Sequence, residues 1–432
     1  MKRPTRALLI AALVLPLLQA CGGNSEEDQG SVRLVNATTD FALLDAYRDD
    51  SGMVNSVAAG SASGYANLDE DDYTFKISQT GSGVTAASVG ASVSAGSHYA
   101  LLAYASGSAL QVSYLTEDEG DPNSGQAKLR FMNTAGLEAG AVDVYVGHAE
   151  CNALGTTAVA AASALSTSTP LAPTGYTAFA AGTYHVCVTS TGNKTDVRMD
   201  IPALTLGDKQ ISTLVLTRSS GGVLVNGLVV NQQGAVTPSA NLSTRVRVVA
   251  NTSVATDMVN VVVNGTTVGS NLSAGTISNY RAVKAGTLAV TVNGAAVNIG
   301  TATAPSGGDL TLLLTGDVAS PTLSVITDDN TPSTSVSQPV KLRLVNGVNG
   351  LPGSATLTLD GEVIGDDVTF GAASMPATVA ASESLAAIVA SSGSTLLWQV
   401  DKQLLSSGKV YTLFLLGNTT TVNSASRLRT DR

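Results

Sequence analysis

The sequence predicts an all-β protein, built as a tandem array of about four β-sandwich domains. Apolar and polar residues alternate with a period of two along short segments rich in Val and Thr. Gly, Ser, Asn and Asp interrupt these segments about every eight to twelve residues, as turns between strands do. The same order of segments recurs along the 432 residues, which have room for three or four domains of about 100–150 residues.

The opening strand of each copy carries an arginine in a similar context. The copies read VRLVN from Val32, LRFMN from Leu129, VRVVA from Val246 and LRLVN from Leu342. The arginines are 97, 117 and 96 residues apart, which is about the size of an immunoglobulin-like sandwich.

Three further segments follow each opening strand in the same order. A second strand is predicted at Leu43–Tyr47, Ala141–Val146, Met258–Gly265 and Ala355–Gly361. A pair of strands led by tyrosine begins at Gly64, Gly175 and Asn279, and the fourth copy has Ser374–Val379 in its place. A leucine-rich strand closes each copy, beginning at His98, Ile211, Asp309 and Val410.

These repeats divide the chain into six segments. We predict a signal peptide (1–20), a lipidated tether (21–31) and four β-sandwich repeats (32–122, 127–238, 245–331 and 340–432). The joints at 117–126, 232–244 and 328–339 are polar and contain Pro or Ser, so we expect flexing between domains. At about 35–40 Å per sandwich, a rod or bent chain would reach on the order of 150 Å.

The N-terminus has the pattern of an export signal. Lys2, Arg3 and Arg6 precede an apolar run from Ala7 to Leu18, which is too short to span a bilayer and typical of a signal peptide. The run ends in Leu18-Gln19-Ala20-Cys21-Gly22, which resembles the lipobox of bacterial lipoproteins.

That resemblance implies that the Cys21 thiol carries a diacylglycerol, that Cys21 becomes the first residue after cleavage, and that its amino group is acylated, typically with palmitate. Because Gly22 is not an aspartate, it also implies sorting to the outer membrane of the cell envelope. The alternative is an ordinary secretory signal cleaved near Ala20.

The repeated pattern of VRLVNA, D-x-Y, GY and G-x-Y-x-V resembles a domain-of-unknown-function family found as tandem repeats in bacterial surface proteins and lipoproteins. The resemblance spans all four repeats and is clearest in the first two. It implies a fold similar to immunoglobulin-like or transthyretin-like sandwiches, and no activity.

Both cysteines that remain after lipidation lie in the second repeat, as His148-x2-Cys151 and His185-x-Cys187. An exported compartment and an even cysteine count favour a disulfide between Cys151 and Cys187. It would close a loop of about 36 residues and stabilise the fold by roughly 3–4 kcal/mol. A tetrahedral metal site formed by these four residues, or unlinked cysteines, are the alternatives.

The repeated arginines and tyrosines favour structural roles over ligand binding. We expect Arg33, Arg130, Arg247 and Arg343 to brace their own domains against acidic residues, with Asp45 and Asp143 as candidates. We expect the hydroxyls of Tyr65, Tyr176 and Tyr280 to bond backbone groups at a strand corner.

Acidic clusters are candidate calcium sites, because Ca²⁺ is bound by six to eight oxygen atoms and carboxylates supply them. None of them has the order of a known calcium loop, so we interpret them as solvated turns and predict no metal or cofactor. The clusters are Asp49–Gly52, Asp69–Asp72, Glu117–Asp121 and Asp328–Asn330.

The sequence also lacks the signatures of catalysis and of nucleic-acid binding. It has three histidines, no G-x-S-x-G elbow, no phosphate-binding loop and no H-E-x-x-H. Its net charge of −10 argues against nucleic acid as a partner.

We therefore expect a non-enzymatic, lipid-anchored envelope protein that acts as a structural spacer or an adhesion scaffold, with protein or glycan partners at the cell surface. The alternatives are a glycan- or calcium-binding module and a subunit that assembles through edge strands.

Overall fold

The structure is a computed structural model that describes residues 28–151, 160–162, 172–382 and 385–432. Residues 1–27, with the predicted signal peptide and Cys21, lie outside the described residues. The described chain is almost entirely β, and its strands group into four successive units, each with its own pair of facing sheets. This confirms the predicted fold class, a tandem array of β-sandwich domains.

Unit 1 has nine strands among the described residues: β1 (Gln29–Asn36), β2 (Leu43–Arg48), β3 (Ser51–Ala58), β4 (Ser61–Ala62), β5 (Ala66–Asp69), β6 (Asp71–Gln79), β7 (Thr85–Val93), β8 (His98–Ser106) and β9 (Ala109–Thr116). One sheet has the order β4-β1-β8-β9, with β5 also paired to β1. The other has the order β3-β2-β6-β7.

Unit 2 follows the same plan: β10 (Gln126–Asn133), α1 (Gly136–Ala139), β11 (Val142–Gly147), β12 (Ala160–Ala162), β13 (Thr177–Ala180), β14 (Gly182–Ser190), β15 (Asn193–Leu206), β16 (Ile211–Arg218), β17 (Val225–Asn231) and β18 (Val236–Ser239). Its sheets have the orders β13-β10-β16-β17-β18 and β12-β11-β14-β15.

Unit 3 contains β19 (Ser243–Thr252), β20 (Met258–Val263), β21 (Thr266–Ser273), β22 (Thr276–Ile277), β23 (Arg281–Lys284), β24 (Gly286–Thr287), β25 (Val290–Val292), β26 (Ala295–Val297), β27 (Thr303–Ala304), β28 (Asp309–Gly316) and β29 (Thr322–Asp328). Its main sheets are β22-β19-β28-β29, with β23 also on β19, and β21-β20-β25-β26. Strands β24 and β27 form a small third sheet.

Unit 4 contains β30 (Val340–Asn346), β31 (Ala355–Leu359), β32 (Glu362–Val368), β33 (Ala377–Val379), β34 (Ala386–Ser392), β35 (Thr395–Gln403), β36 (Val410–Leu415), α2 (Val422–Ala425) and β37 (Arg427–Thr430). Its sheets have the orders β33-β30-β36-β37 and β32-β31-β34-β35. In the part of the chain that the structure describes, no helix is long and apolar enough to cross a membrane.

One parallel strand pair lies at the centre of every unit. The opening strand pairs in parallel with the leucine-rich strand: β1 with β8, β10 with β16, β19 with β28 and β30 with β36. In each unit the repeated arginine therefore lies opposite the equivalent residue of the leucine-rich strand. This residue is Ala100 in unit 1 and Thr213, Thr311 and Thr412 in units 2, 3 and 4.

Each unit encloses an apolar core between its two sheets. In unit 1, for example, Leu34 and Leu101 from one sheet pack with Phe75 and Ile77 from the other, and all four are fully buried. Alternate residues of a strand point to opposite faces, so one face of β1 supplies this core while its other face points away from it.

The outer faces of these central strands are buried as well, because the units pack in pairs. Val35 and Leu102 of unit 1 pack against Met132 and Val215 of unit 2. The interface between units 3 and 4 is equivalent, and it joins Val249 and Leu313 to Val345 and Phe414. Strands buried on both faces read as continuous apolar runs, which explains the leucine-rich segments.

The chain is thus organised as two modules, each a pair of sandwiches joined sheet to sheet. Val35, Met132, Val249 and Val345 each follow the repeated arginine by two residues, and each is fully buried in its interface. The second module repeats the contacts of the first at matching positions.

The two modules also contact each other closely. A Cβ added to Gly221 would lie 2.7 Å from the backbone of Gly307, and one added to Gly222 would lie 2.5 Å from that of Asn330. The amide of Gly221 donates to the carbonyl oxygen of Gly307 at 3.0 Å. Only residues without a side chain allow this approach of unit 2 to unit 3.

The three joints, which we expected to be flexible, each contain a buried polar residue. Glu117, Asn241 and Asn330 lie in the three joints and are 4%, 0% and 0% exposed. The Asn241 amide donates to the carbonyl oxygens of Arg198 and Val225 at 2.6 and 2.9 Å. Polar composition resembles that of a loose linker, but in each joint at least one polar side chain is buried and hydrogen-bonded.

Replacing Phe414 by Ala tests the packing of unit 4 on unit 3. Phe414 is fully buried in that interface, so the cavity should cost about 3–5 kcal/mol. Trp398 is the single tryptophan and lies in β35 of unit 4, so its fluorescence during denaturation by guanidinium chloride reports this unit. Phe370→Ala is the matched control, since Phe370 is 46% exposed and should change stability by less than about 1 kcal/mol. Equal midpoints for the two variants would contradict the packing.

Candidate functional site

The cysteine cluster of unit 2 lies on the outer face of the sheet β12-β11-β14-β15. Cys187 is in the middle of β14 and is disulfide-bonded to Cys151, which follows β11. The sulfur atoms are 2.07 Å apart and the Cα atoms 5.5 Å apart. Tyr145 and Val197 pack against the disulfide. Of the three alternatives for these cysteines, the structure therefore contains the disulfide.

A histidine and an aspartate lie beside the disulfide. The Nε2 atom of His185 is 3.6 Å from the Sγ atom of Cys151 and 2.6 Å from an Oδ atom of Asp200. His185 precedes Cys187 by two residues on β14, so both side chains share a face. Asp200 is the cross-strand partner of Cys187 on β15, which places its carboxylate on that same face.

His148, the fourth member of the predicted metal set, is placed elsewhere. Its ring stacks on the ring of Tyr184, with the centroids 5.1 Å apart. Cys151, His185 and Cys187 form a cluster of potential ligand atoms within 4.8 Å of one another, and His148 is not part of it. Asp200 was missed in the sequence because β15 is 14 residues long and its register to β14 is shifted by bulges.

This cluster borders a cleft between units 2 and 3. The cleft has a volume of about 950 Å³. Its walls include Cys151, His185 and Asp200 on the side of unit 2, and Leu242, Thr266 and Lys284 on the side of unit 3. The disulfide is thus next to open space, although Cys151 and Cys187 are themselves 7% and 1% exposed.

The repeated arginines lie in the interfaces between units, and the expectation that Asp45 and Asp143 pair with them is wrong. The Asp45 carboxylate accepts from the amide of Ser56 at 2.7 Å and the hydroxyl of Thr80 at 2.7 Å. The Asp143 carboxylate accepts from the amide of Gly192 at 2.9 Å. Both aspartates brace loops of the second sheet, whereas the arginines point from the outer face of the first.

Arg33 joins unit 1 to unit 2. Its Nε atom donates to Glu117 at 2.8 Å, and its two Nη atoms donate to the carbonyl oxygens of Gly234 at 2.6 Å and Asn231 at 2.8 Å. The side chain is 3% exposed. A guanidinium with five donors in a plane can satisfy a carboxylate and two carbonyl groups at once.

Two arginines and two aspartates form the corresponding cluster between units 3 and 4, which we call the arginine–aspartate cluster (Arg247, Arg343, Asp328 and Asp431). Arg247 binds Asp431 of unit 4, with one contact at 3.0 Å, and Arg343 binds Asp328 of unit 3. Arg247 also lies 3.6 Å from Asp328. Each arginine thus reaches across the interface, so the pairing is reciprocal.

Threonines complete this cluster. The Nε atoms of Arg247 and Arg343 donate to the hydroxyls of Thr311 and Thr412 at 2.8 and 3.0 Å. Those hydroxyls donate in turn to Asp328 at 2.5 Å and Asp431 at 2.6 Å. In the first module Arg130 likewise donates to Thr213 at 2.8 Å. The parallel pairing of β19 with β28 and of β30 with β36 places each threonine beside its arginine.

The repeated tyrosines stack on these arginines. The guanidinium carbons of Arg33, Arg130 and Arg247 lie 5.3, 4.5 and 4.6 Å from the ring centres of Tyr65, Tyr176 and Tyr280. The Tyr280 hydroxyl donates to Asp328 at 2.6 Å, and that of Tyr65 donates to Glu117. The structural role is as predicted, but for these two tyrosines the acceptor is a carboxylate and not a backbone group.

Burial and charge act in opposite directions on the ionisable groups of the cluster. Burial alone would raise the pKa of Asp328, but the charges of Arg343 and Arg247 outweigh it and hold the pKa below its ordinary value. Burial and the neighbouring Asp328 carboxylate raise the pKa of Tyr280 well above its ordinary value. At neutral pH Asp328 is therefore ionised and Tyr280 is a hydrogen-bond donor.

The acidic clusters considered for calcium are occupied by protein groups. Lys128 binds Glu119, His98 lies 3.0 Å from Asp118, and Lys76 lies 2.5 Å from Asp50. Asp328 belongs to the arginine–aspartate cluster, and Asp329 binds Lys341 at 2.6 Å. Lysines of the protein thus pair with one carboxylate in each of three of the four clusters.

The fold and these contacts define the class of protein: tandem β-sandwiches that pair through buried, charged sheet faces. Residues 30–145 and 244–353, just over half of the chain, match a domain of unknown function, DUF4397, and the chain belongs to this family. The first match covers unit 1 and the opening strands of unit 2. The second covers unit 3 and the opening strand of unit 4. No curated protein sequence matches the chain.

Three solved structures show some similarity to the chain. One is a candidate cell adhesion protein of Bacteroides uniformis ATCC 8492, with 11% identity and a TM-score of 0.22 over 48% of this chain and 99% of that one. The Bacillus anthracis TIE protein has 10% identity and a TM-score of 0.14 over 68% and 51%. The glycogen-degrading pneumococcal virulence factor SpuA has 9% identity and a TM-score of 0.16 over 63% and 37%.

Replacing Asp328 by Asn tests the arginine–aspartate cluster. The change leaves two buried guanidinium groups without their shared anion, so we expect a loss of about 3–5 kcal/mol at neutral pH. The pKa of Asp328 is lower in the folded state than in the unfolded state. Its carboxylate therefore stabilises the fold at pH values above its pKa in the unfolded state, and this stabilisation is lost as the pH falls through its pKa in the folded state. The stability difference from the wild type should therefore shrink in acid.

Denaturation by guanidinium chloride at several pH values measures both effects. Asp401→Asn is the control, since Asp401 is exposed on β35 and should change stability by less than about 0.5 kcal/mol. If the stability difference between Asp328→Asn and the wild type did not depend on pH, the charge of Asp328 would contribute nothing to stability.

Proposed function

We propose that the protein is a non-enzymatic, lipid-anchored scaffold of the bacterial cell envelope, which acts as a spacer or an adhesion platform. The observation that carries the proposal is the pairing of the sandwiches through buried arginine clusters. These contacts use the repeated arginines, tyrosines and carboxylates to hold the units at fixed positions. Such an array presents its remaining surface at a defined orientation, which suits a scaffold.

The position of Cys21 supports attachment close to the first sandwich. Only seven residues, 22–28, separate Cys21 from the start of β1 at Gln29. Extended at about 3.3 Å per residue, this tether would place unit 1 within roughly 30 Å of the lipid. Several acyl chains on Cys21 would give stable membrane binding, where a single chain gives only marginal binding.

A ligand-binding module is the second candidate, and the cleft of about 950 Å³ between units 2 and 3 favours it. Its volume lies within the range of small-molecule sites. Glycans remain the proposed ligand class for this alternative. Calcium is less well supported, because lysine, arginine or histidine side chains contact several of the acidic residues.

Replacing Cys21 by Ser tests the anchor. We expect the variant to lose incorporation of a palmitate analogue and to move from the detergent phase to the aqueous phase in a phase-partition assay, because serine has no thiol to acylate. The double variant Cys151→Ser/Cys187→Ser is the matched control and should be labelled like the wild type. Equal labelling of Cys21→Ser would refute lipidation at this residue.

Small-angle scattering on the chain from Gly22, made without lipid, tests the rigid scaffold. We expect the profile calculated from the packed units, unchanged when calcium is added, because each joint contains a buried residue and Glu119, Asp328 and Asp329 are paired with basic side chains. A more extended profile would show that the units separate in solution. Compaction on adding calcium would favour the calcium-binding alternative over the scaffold.

A further inference from the structure

The cysteine cluster of unit 2 has the donor set of a transition-metal site. Two sulfurs, an imidazole nitrogen and a carboxylate converge on the outer face of β14 and β15. Zn²⁺ is bound in proteins by these three ligand types, most often four at a time in a tetrahedron. In this structure the two sulfurs are bonded to each other in the disulfide.

The spacing of the Cys151 sulfur and the His185 nitrogen fits a tetrahedral ion. With bonds of about 2.3 Å to sulfur and about 2.0 Å to nitrogen, the S···N separation in a tetrahedral site is roughly 3.5 Å. The separation of the Cys151 Sγ and His185 Nε2 atoms is already 3.6 Å. The Asp200 oxygen is 2.6 Å from that nitrogen but lies outside the group of ligand atoms within 4.8 Å of one another, so its side chain has to turn towards the sulfurs to complete the site.

We propose that Cys151, Cys187, His185 and Asp200 form a Zn²⁺ site that becomes available when the disulfide is reduced. An external dithiol supplies the two electrons: the disulfide bond breaks, two thiols form on the protein, and the dithiol closes to its own disulfide. Zn²⁺ then binds both sulfurs as thiolates and two protons are released.

Two features of the surroundings support the site. The sheet fixes three of the four ligands, because His185 and Cys187 share one face of β14 and Asp200 lies directly across from Cys187 on β15. The adjoining cleft gives a dithiol and a metal ion access to Cys151, His185 and Asp200, which line it.

The structure also distinguishes the fourth ligand. The sequence pattern suggests His148, but its ring stacks on Tyr184. Neither His148 nor Asp200 is among the ligand atoms that lie within 4.8 Å of one another. Asp200 contacts His185 directly. The proposal thus assigns the carboxylate of Asp200, and not the imidazole of His148, to the metal.

Titration of the whole chain with Co²⁺, a spectroscopic substitute for Zn²⁺, tests the proposal. After reduction by a phosphine, we expect one ion per chain, with the intense visible bands of tetrahedral Co²⁺ and a thiolate-to-metal charge-transfer band. Zn²⁺ should displace the Co²⁺ and protect Cys151 and Cys187 from alkylation. The oxidised chain should give neither signal.

Three variants assign the ligands. His185→Ala should abolish the tetrahedral spectrum. Asp200→Asn should weaken metal binding by at least about 10-fold, because loss of a residue that only hydrogen-bonds a metal ligand already has an effect of about this size. His148→Ala is the matched control and should bind as the wild type does. Weaker binding by His148→Ala together with unchanged binding by Asp200→Asn would overturn the assignment.

Circular dichroism and Trp398 fluorescence should show that the reduced chain remains folded. A folded, reduced chain without tetrahedral Co²⁺ would overturn the proposal. Loss of the fold on reduction would also overturn it, because the ligands would then not be preorganised. None of these outcomes depends on whether the protein is a scaffold.

Discussion

The buried arginine in the outer face of the central sheet of units 1, 3 and 4 is the constraint on which the arrangement of the units depends. A guanidinium that is 1–3% exposed, as in Arg33, Arg247 and Arg343, has lost most of its hydration, and this loss is costly unless anions and carbonyl groups replace the water. Groups of the neighbouring unit supply part of that replacement. The arginine therefore specifies where the next unit must lie, while the apolar residues around it supply the driving force for burial.

The two modules use this constraint to different degrees. In the second module each unit contributes one arginine and one aspartate, and the cluster is reciprocal. In the first module Gln232 follows β17 where Asp431 follows β37, and backbone carbonyls of unit 2 accept from Arg33 in place of a carboxylate. The interface between units 1 and 2 thus has one acidic group fewer than the interface between units 3 and 4, but the same arrangement. The cysteine cluster lies on the opposite sheet of unit 2, away from this interface, and borders open space.

Much of the fold follows from local patterns in the sequence. Alternation with a period of two, the recurring arginine strand and the turn residues predict the sandwiches, and the even cysteine count favours the disulfide. The continuous apolar runs of β8, β16, β28 and β36 were a signal for sheets buried on both faces. The pairing of the units itself was not predicted, because the polar joints suggested flexibility. The positions of Cys151 and Cys187 were predictable, whereas the contribution of Asp200 was not.

The sequence by itself determined the strands, their repetition and the residue types at each repeated position, because these depend on neighbours a few residues away. Only the tertiary structure decided the partners of the charged groups. Arg33 meets Glu117 after 84 residues and Arg247 meets Asp431 after 184, and no local pattern specifies contacts at such separations. The register of β14 and β15, set by bulges, likewise decided that Asp200 lies beside His185. Packing and hydrogen-bond satisfaction select these partners, since a buried charge requires whichever complementary group the fold brings within reach.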